Sequence, residues 1–338
     1  MIVGVIGCGS AGSAYIRALS CINLVEQIYI YDSDSEKTKA IAKKTDNLIV
    51  SESIAEIALK ADAIVVALPN NIHLSAIKEI YSFSKVPVIC EKPFTDSIEA
   101  AKKLSSLLDP LSIIGFNYRF NPIFKEFRAI INQHKSFGKI IFFQGNFLKS
   151  STFNKTHIGW RDQNFQGNSS GAVGDLSPHI IDLFTFLTGQ RLNTNSISIG
   201  KFTRVKKRLD GDIHADDTGV ITGYGDDNCL FRARLGKAEN VENTVFDIKV
   251  SFQYGEINFS GKDNQIFIQN NITQAKKSIA IKYDNILPNI SGEIIYWLDS
   301  FIFILESWLD CISKKELNHL EEISSKYGEY LQSIIDRK

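Results

Sequence analysis

Short apolar runs alternate with stretches of helical period over the first 115 or so residues of the chain. Residues 2–6, 27–31, 63–67, 86–90 and 112–115 are brief, β-branched and apolar throughout, as in strands covered on both faces. Between them, residues 11–20, 35–44, 72–83 and 96–108 carry helix-period patterns. Asp96, with Glu99 three residues on, predicts a capping box at the start of the last helix. Strands alternating with helices imply βαβ units and a parallel, doubly wound α/β sheet.

The pattern changes after Asn121-Pro122. One more helix runs to about His134, and then residues 139–149, 195–205, 218–224, 230–235, 245–253, 256–260 and 265–269 read as successive strands. Gln253-Tyr254-Gly255-Glu256 has hairpin-turn composition. Strands without intervening helices predict an α+β second domain with a mostly antiparallel open sheet. A helix over 178–187 interrupts them, with Pro178 in its first turn, and helices over 291–312 and 320–335 close the chain. We therefore expect one domain over 1–118 and a second over 119–338, with the helices of 291–335 able to pack back on the first. A length of 338 residues fits two domains.

The 38 Lys and Arg balance 38 Asp and Glu, which argues against a nucleic-acid partner. The five cysteines are scattered without a C-x-x-C pair, so neither a disulfide framework nor a metal site is expected, and the cytoplasm is the natural compartment. Met1 leads straight into apolar Ile2–Ile6, without the basic stretch and cleavage site of a signal peptide. The most apolar late stretch, 294–309, is interrupted by Asp299 and Glu306 and is too short to span a bilayer, so no membrane partner is expected.

Candidate chemistry begins at Gly7-Cys8-Gly9-Ser10-Ala11-Gly12, between the first strand and the first helix. Gly7 makes the tight turn, Gly9 lets a pyrophosphate approach the backbone, Gly12 permits close packing, and the helix start offers N–H groups to phosphates. Asp32, at the end of the second strand, is placed to accept hydrogen bonds from the adenosine ribose and to repel a 2′-phosphate. This predicts NAD as the cofactor, with NADP possible through Lys37. The loop Leu68-Pro69-Asn70 after the third strand borders the cofactor, with amides at Asn70 suited to the nicotinamide ribose. His73 reads equally as a cofactor contact or a helix-start residue. Glu91-Lys92-Pro93 puts an ammonium at a strand tip, where it can hold a substrate hydroxyl and stabilise charge on its oxygen. Asp175 and His179 lie four apart and can share one cleft, with His179 suited to exchanging a proton with an alcohol.

These pieces, with Gly115-Phe116-Asn117-Tyr118-Arg119-Phe120-Asn121-Pro122 and the segment ending in Asp182, resemble in order and spacing the glucose–fructose oxidoreductase/inositol dehydrogenase/rhizopine-catabolism family. The resemblance covers essentially the whole chain. It departs at Ser177, where the family often has glycine. It implies a Rossmann domain, then a substrate domain whose open sheet forms subunit interfaces, hence a homo-dimer or homo-tetramer. It also implies that Lys92, Asp175 and His179 line the substrate site, and that a sugar or polyol, free or nucleotide-linked, is oxidised at a secondary alcohol. Two other readings remain within this fold: a regulatory scaffold that binds dinucleotide without turnover, and a lyase or glycosidase that recycles NAD.

Three further features bear on the substrate. Trp160-Arg161 lies in a long loop, where Trp160 can pack on a sugar or the nicotinamide and Arg161 can hold an anion. Arg119 and Asn121, at the domain junction, read as substrate contacts or as a hinge. Arg204, Lys206, Lys207 and Arg208 form a basic run that reads as a solvated hairpin face in preference to a diphosphate site.

Overall fold

In the computed structural model, which describes residues 1–43, 47–163, 170–290 and 293–337, the chain forms two compact units. The first comprises Met1–Asn117 with Leu298–Gln332, the second Tyr118–Trp297 with the chain from Ser333 onward.

The first unit is built on six parallel strands, β1 (Ile2–Ile6), β2 (Gln27–Tyr31), β3 (Leu48–Val50), β4 (Ala63–Val66), β5 (Val88–Cys90) and β6 (Ile113–Ile114). Their order, β3-β2-β1-β4-β5-β6, reverses direction between β1 and β4. Ligands of such sheets bind beyond the carboxyl ends of the strands at that switch. Helices α1 (Ser10–Leu19), α2 (Ser35–Ala42), α3 (Ile54–Lys60), α4 (His73–Phe83) and α5 (Ile98–Leu107) make the crossovers. Val3, Val5, Ile30, Ile64, Val65 and Val66 are fully buried, which is why their strands read as unbroken apolar runs.

Some expectations for this unit are corrected. Neither β3 nor α3 was expected: β3 is a three-residue edge strand without a buried position, and α3 has only seven residues in which to show a period. Strand β5 starts after Pro87, which offers a carbonyl to Ile64 but has no N–H for the ladder. Ser97 caps α5 in place of Asp96, its Oγ accepting from the Ala100 N–H at 3.3 Å. Helix α2 ends at Ala42, and position 44 of the expected helix lies outside the described residues.

The second unit carries α6 (Pro122–Gln133), β7 (Ile140–Leu148), α7 (Gly171–Thr188), β8 (Ser198–Phe202), and the small hairpin β9 (Lys207–Arg208) with β10 (Gly211–Asp212). Next come β11 (Thr218–Tyr224), β12 (Leu230–Gly236), β13 (Val245–Phe252), β14 (Gly255–Ser260), β15 (Gln265–Asn270) and β16 (Lys276–Ala280). The eight-stranded sheet runs β16-β15-β14-β13-β7-β12-β11-β8 and is antiparallel except where β12 meets β7. Burial alternates along β11, β13 and β14, so one face is buried and the other partly exposed. Helix α7 packs on β12, β11 and β7.

Helix α7 begins seven residues before the expected start, so Pro178 is an interior residue and not a first-turn one. An interior proline forgoes one helical hydrogen bond, which costs about 3 kcal/mol. The helix start is capped from outside: Asp216 accepts from the Ala172 N–H on its backbone oxygen and from the Val173 N–H on Oδ2, both at 2.8 Å. The helix ends where expected, at Gly189 in the left-handed region with φ +72°.

Helices α8 (Trp297–Lys314) and α9 (Ser325–Ile335) follow. Helix α8 starts later than expected, and residues 291–292 lie outside the described residues. Within the first unit, Phe301 meets Tyr15 edge to face at 4.8 Å and Trp308 Nε1 donates to the Leu111 carbonyl at 2.8 Å. The Thr95 N–H donates to Gln332 Oε1 at 3.3 Å.

Candidate active site

The dinucleotide loop is built by two close approaches. Gly7 has φ +97°, and a Cβ on Gly12 would lie 1.8 Å from the Gly7 carbonyl oxygen, so any side chain there would push α1 off the loop. At Gly9, which caps α1, a Cβ would meet no atom within 4 Å, and the first turn holds no acidic residue. Ser10 and Ala11 open the helix, whose N–H groups and positive end suit a pyrophosphate. These residues fit the cofactor that the sequence implies.

Asp32 is tied to this loop. Its Oδ2 accepts from the Cys8 N–H at 2.7 Å, its Oδ1 from the Asp34 N–H at 2.9 Å, and Lys37 Nζ stands 3.7 Å from Oδ1. The carboxylate is thereby fixed at the end of β2, where a ribose acceptor is needed. Burial, with the Asp32 charge adding to it, pushes the Cys8 thiol up to about 12, so it stays neutral. Replacing Asp32 by Ala is expected to raise the dissociation constant for NAD about tenfold and that for NADP much less, measured by fluorescence titration; equal weakening would refute the ribose assignment.

The Leu68-Pro69-Asn70 loop is held from behind. Asn70 is buried and its Nδ2 donates to the Thr95 carbonyl at 2.8 Å. His73 is fully buried, with Nε2 2.8 Å from the Leu68 carbonyl oxygen and Nδ1 3.0 Å from that of Phe94. Of the two readings of His73, the geometry gives the one without a ligand contact: the ring staples the loop to the start of α5's approach, and no surface of it is left for cofactor. Burial holds its pKa below the usual histidine range.

Glu91 is likewise a support. Its Oε1 accepts from Tyr15 Oη at 2.8 Å and its Oε2 from the Lys92 N–H at 3.2 Å, which fixes the strand tip that presents the partly exposed Lys92. Burial, followed by the Glu91 charge, pushes the Tyr15 hydroxyl well above its ordinary pKa, so it remains a donor.

In the second unit, α7 brings Asp175, His179 and Asp182 together on one helix. His179 is 7% exposed and meets the Tyr118 ring edge to face at 4.3 Å. Tyr118 stacks in turn on Phe246 at 5.2 Å, and Phe147 lies 6.0 Å from the imidazole. An aromatic wall therefore holds the histidine. Asp182 is buried one turn further and is taken by Arg119, whose Nε donates to Oδ2 at 3.2 Å and whose Nη2 donates to Oδ1. Asn121 is fully buried, its Oδ1 accepting from the Ile123 N–H at 3.0 Å and its Nδ2 donating to the Ile295 carbonyl at 2.9 Å. Both residues were candidate substrate contacts; buried and engaged within the protein, they act as supports, Asn121 capping α6 and Arg119 bracing α7.

Asp175 faces two cations. Its Oδ2 lies 2.9 Å from Lys237 Nζ and its Oδ1 3.3 Å from Arg161 Nε. Arg161 lies over the Trp160 ring at 4.2 Å and keeps 37% of its side chain exposed. Lys237, which sequence reasoning missed, is buried, and its Nζ also donates to the Gly171 carbonyl at 2.8 Å. A signal was available: Phe231, Ala233 and Leu235 face inward on β12, and the period of two carries Lys237 onto the same side.

The loop with Trp160 and Arg161 is held by the β9–β10 hairpin. Arg208 Nη1 donates to the carbonyls of Thr152 at 2.6 Å and Lys155 at 2.9 Å, and Asp210 accepts from the Ile158 N–H at 2.9 Å. The basic run is therefore not a solvated face throughout: the Arg208 side chain is only 3% exposed, and Arg204 Nη1 donates to the Ala238 carbonyl. Residues 164–169 of this loop lie outside the described residues. Among the described residues no cluster of metal ligands occurs, and no helix is long and apolar enough to cross a membrane.

Comparison with known proteins agrees with these features. Residues 1–114 match the oxidoreductase family model with an NAD-binding Rossmann fold, and residues 124–243 match the GFO/IDH/MocA C-terminal domain. Glucose-6-phosphate 3-dehydrogenase of Bacillus subtilis (strain 168) is 26% identical, covering 91% of this chain and 87% of its own. Rhizopine catabolism protein MocA of Rhizobium meliloti is 25% identical, covering 60% of this chain and 61% of its own. A solved structure of levoglucosan dehydrogenase in complex with NADH and levoglucosan has the same fold, with a TM-score of 0.83 at 18% identity over 99% of this chain and 95% of that one. With both family models matched in order and the dinucleotide loop built as the fold requires, the chain belongs to the GFO/IDH/MocA family of NAD-binding oxidoreductases.

Proposed function

We propose that this enzyme interconverts a secondary alcohol and a ketone on a sugar or cyclitol, and that the preferred substrate carries a phosphate or other anionic substituent. Asp175 and His179, four residues apart on α7, carry the reading: an imidazole walled by Tyr118 and Phe147, one turn from a carboxylate held by Lys237 and Arg161, is suited to moving an alcohol proton near neutral pH. NAD, when bound, supplies the hydride acceptor, held by the Gly7–Gly12 loop and Asp32. His179 takes the hydroxyl proton in oxidation and returns it in reduction. The Lys92 ammonium donates to the same oxygen and stabilises its developing charge. Asp175 orients the imidazole and accepts from a neighbouring substrate hydroxyl.

The anionic substituent is favoured by Arg161, whose side chain stays 37% exposed beside Asp175, and by Lys155, which is 41% exposed and 3.8 Å from Asp162. The similarity to a glucose-6-phosphate 3-dehydrogenase supports the same class. A panel of free, phosphorylated and nucleotide-linked sugars and cyclitols, assayed by absorbance of reduced nicotinamide, tests the function; no turnover with any member would overturn it. Arg161→Gln is expected to raise KM for a phosphorylated substrate about tenfold and to change KM for the free sugar little, since one charge-assisted contact is lost. Equal effects on both would remove the anionic substituent. The partly exposed sheet face, where Leu230 and Phe267 are exposed, supports a homo-oligomer, and the scattered cysteines without a C-x-x-C pair suit the cytoplasm.

A further inference from the structure

Lys237 has no role in the reaction as set out above, yet its place is costly. Its backbone is fixed on both sides, the N–H donating to the Asp217 carbonyl at 2.7 Å and the carbonyl accepting from the Thr152 N–H at 2.8 Å. Its ammonium is buried against the first turn of α7, bridging the Gly171 carbonyl and the Asp175 carboxylate. A cation at a helix N-terminus opposes the helix dipole, and burial strips it of water. An apolar residue of similar length would often be as stable or more so in such a place. Stability alone therefore does not account for a lysine here.

The pairing has a chemical consequence. With Lys237 on Oδ2 and Arg161 on Oδ1, Asp175 is held ionised and in one orientation. His179 follows one turn later on the same helix face. Burial, then the charges of Glu293 and Asp175, push the Tyr118 hydroxyl well above its ordinary pKa, and the Tyr118 ring touches the imidazole. We propose that Lys237 is a positioning residue of the active site, fixing the charge and orientation of Asp175 and through it setting the proton affinity of His179. The inference rests on the assignment of Asp175 and His179 to the reaction. Around the lysine stand Asp175, Asp216, Arg161 and Lys155. Burial dominates among their effects and, against the pull of Asp175, brings the ammonium down to about 8.

The direction of the effect follows from charge. Removing the ammonium leaves the Asp175 carboxylate less compensated, so the imidazolium is favoured and the midpoint of His179 rises. In protein labelled with 13C at histidine Cε1, Lys237→Gln, which keeps an amide donor for Gly171, is expected to raise the His179 midpoint by about half a unit or more. Lys237→Arg is expected to restore it. The acidic limb of the kcat pH profile moves by the same amount with whichever substrate the panel yields. A folded Lys237→Gln protein with an unmoved His179 midpoint would overturn the proposal, even if sugar oxidation is established. Conversely, a shifted midpoint in a protein that oxidises no sugar would leave the coupling standing and the substrate class refuted. Should that variant fail to fold, Lys237→Met, of similar length and without charge, is read in the same way, and an unmoved His179 midpoint in the folded protein contradicts the coupling.

Discussion

Replacing His179 by Ala is expected to lower kcat by a factor of about 10²–10⁴, the range supplied by a positioned acid–base group. The affinity for NAD, measured by fluorescence titration, should stay within about twofold of wild type, because the dinucleotide loop and Asp32 lie in the other compact unit of the chain. The loss should be in turnover more than in KM, since the imidazole acts on the proton in flight and contributes little to holding the resting sugar. His179→Ala also removes a ring packed against Tyr118 and Phe147, so a thermal melt must accompany the assay. A folded variant with unchanged kcat would dismiss His179 from the chemistry.

The second large effect is on stability. Arg119 and Asp182 are 5% and 1% exposed, and their two-point pairing ties the start of α6 to the middle of α7. Taking one partner from a buried pair leaves the other charged and desolvated, which costs about 3–5 kcal/mol. Arg119→Met is accordingly expected to lower the unfolding free energy by that amount in a urea titration. The double variant Arg119→Met/Asp182→Leu should recover most of it, because no lone charge remains. If the single and double variants lose equal stability, the pair is not coupled and the cost lies in packing against Phe186.

What could be read from the chain beforehand follows from where the signals are local. The β1–α1 turn and Asp32 sit within about thirty residues of one another, and their roles are written in glycine spacing and in the acid after an apolar run. The second unit's strands showed because one face is buried and their burial alternates. The edge strands β3 and β16 did not show, because neither has a buried position to leave a pattern. At the site, Asp175 and His179 were legible as neighbours on one helix, even though the helix begins seven residues before the expected start. Lys237 was not, since its partner lies 62 positions earlier and only the fold brings them within 2.9 Å. Asn121, Arg119 and His73 show the converse: polar residues inside a motif can serve the backbone that presents the chemistry, and only their hydrogen bonds reveal it.

A crystal structure with NADH and an unreactive sugar analogue tests the central claim most directly. His179 and Lys92 are expected within about 2.6–3.2 Å of one and the same analogue oxygen, with that carbon facing the nicotinamide. An analogue bound beside the nicotinamide but served by other side chains, with His179 touching none of its oxygens, would contradict this.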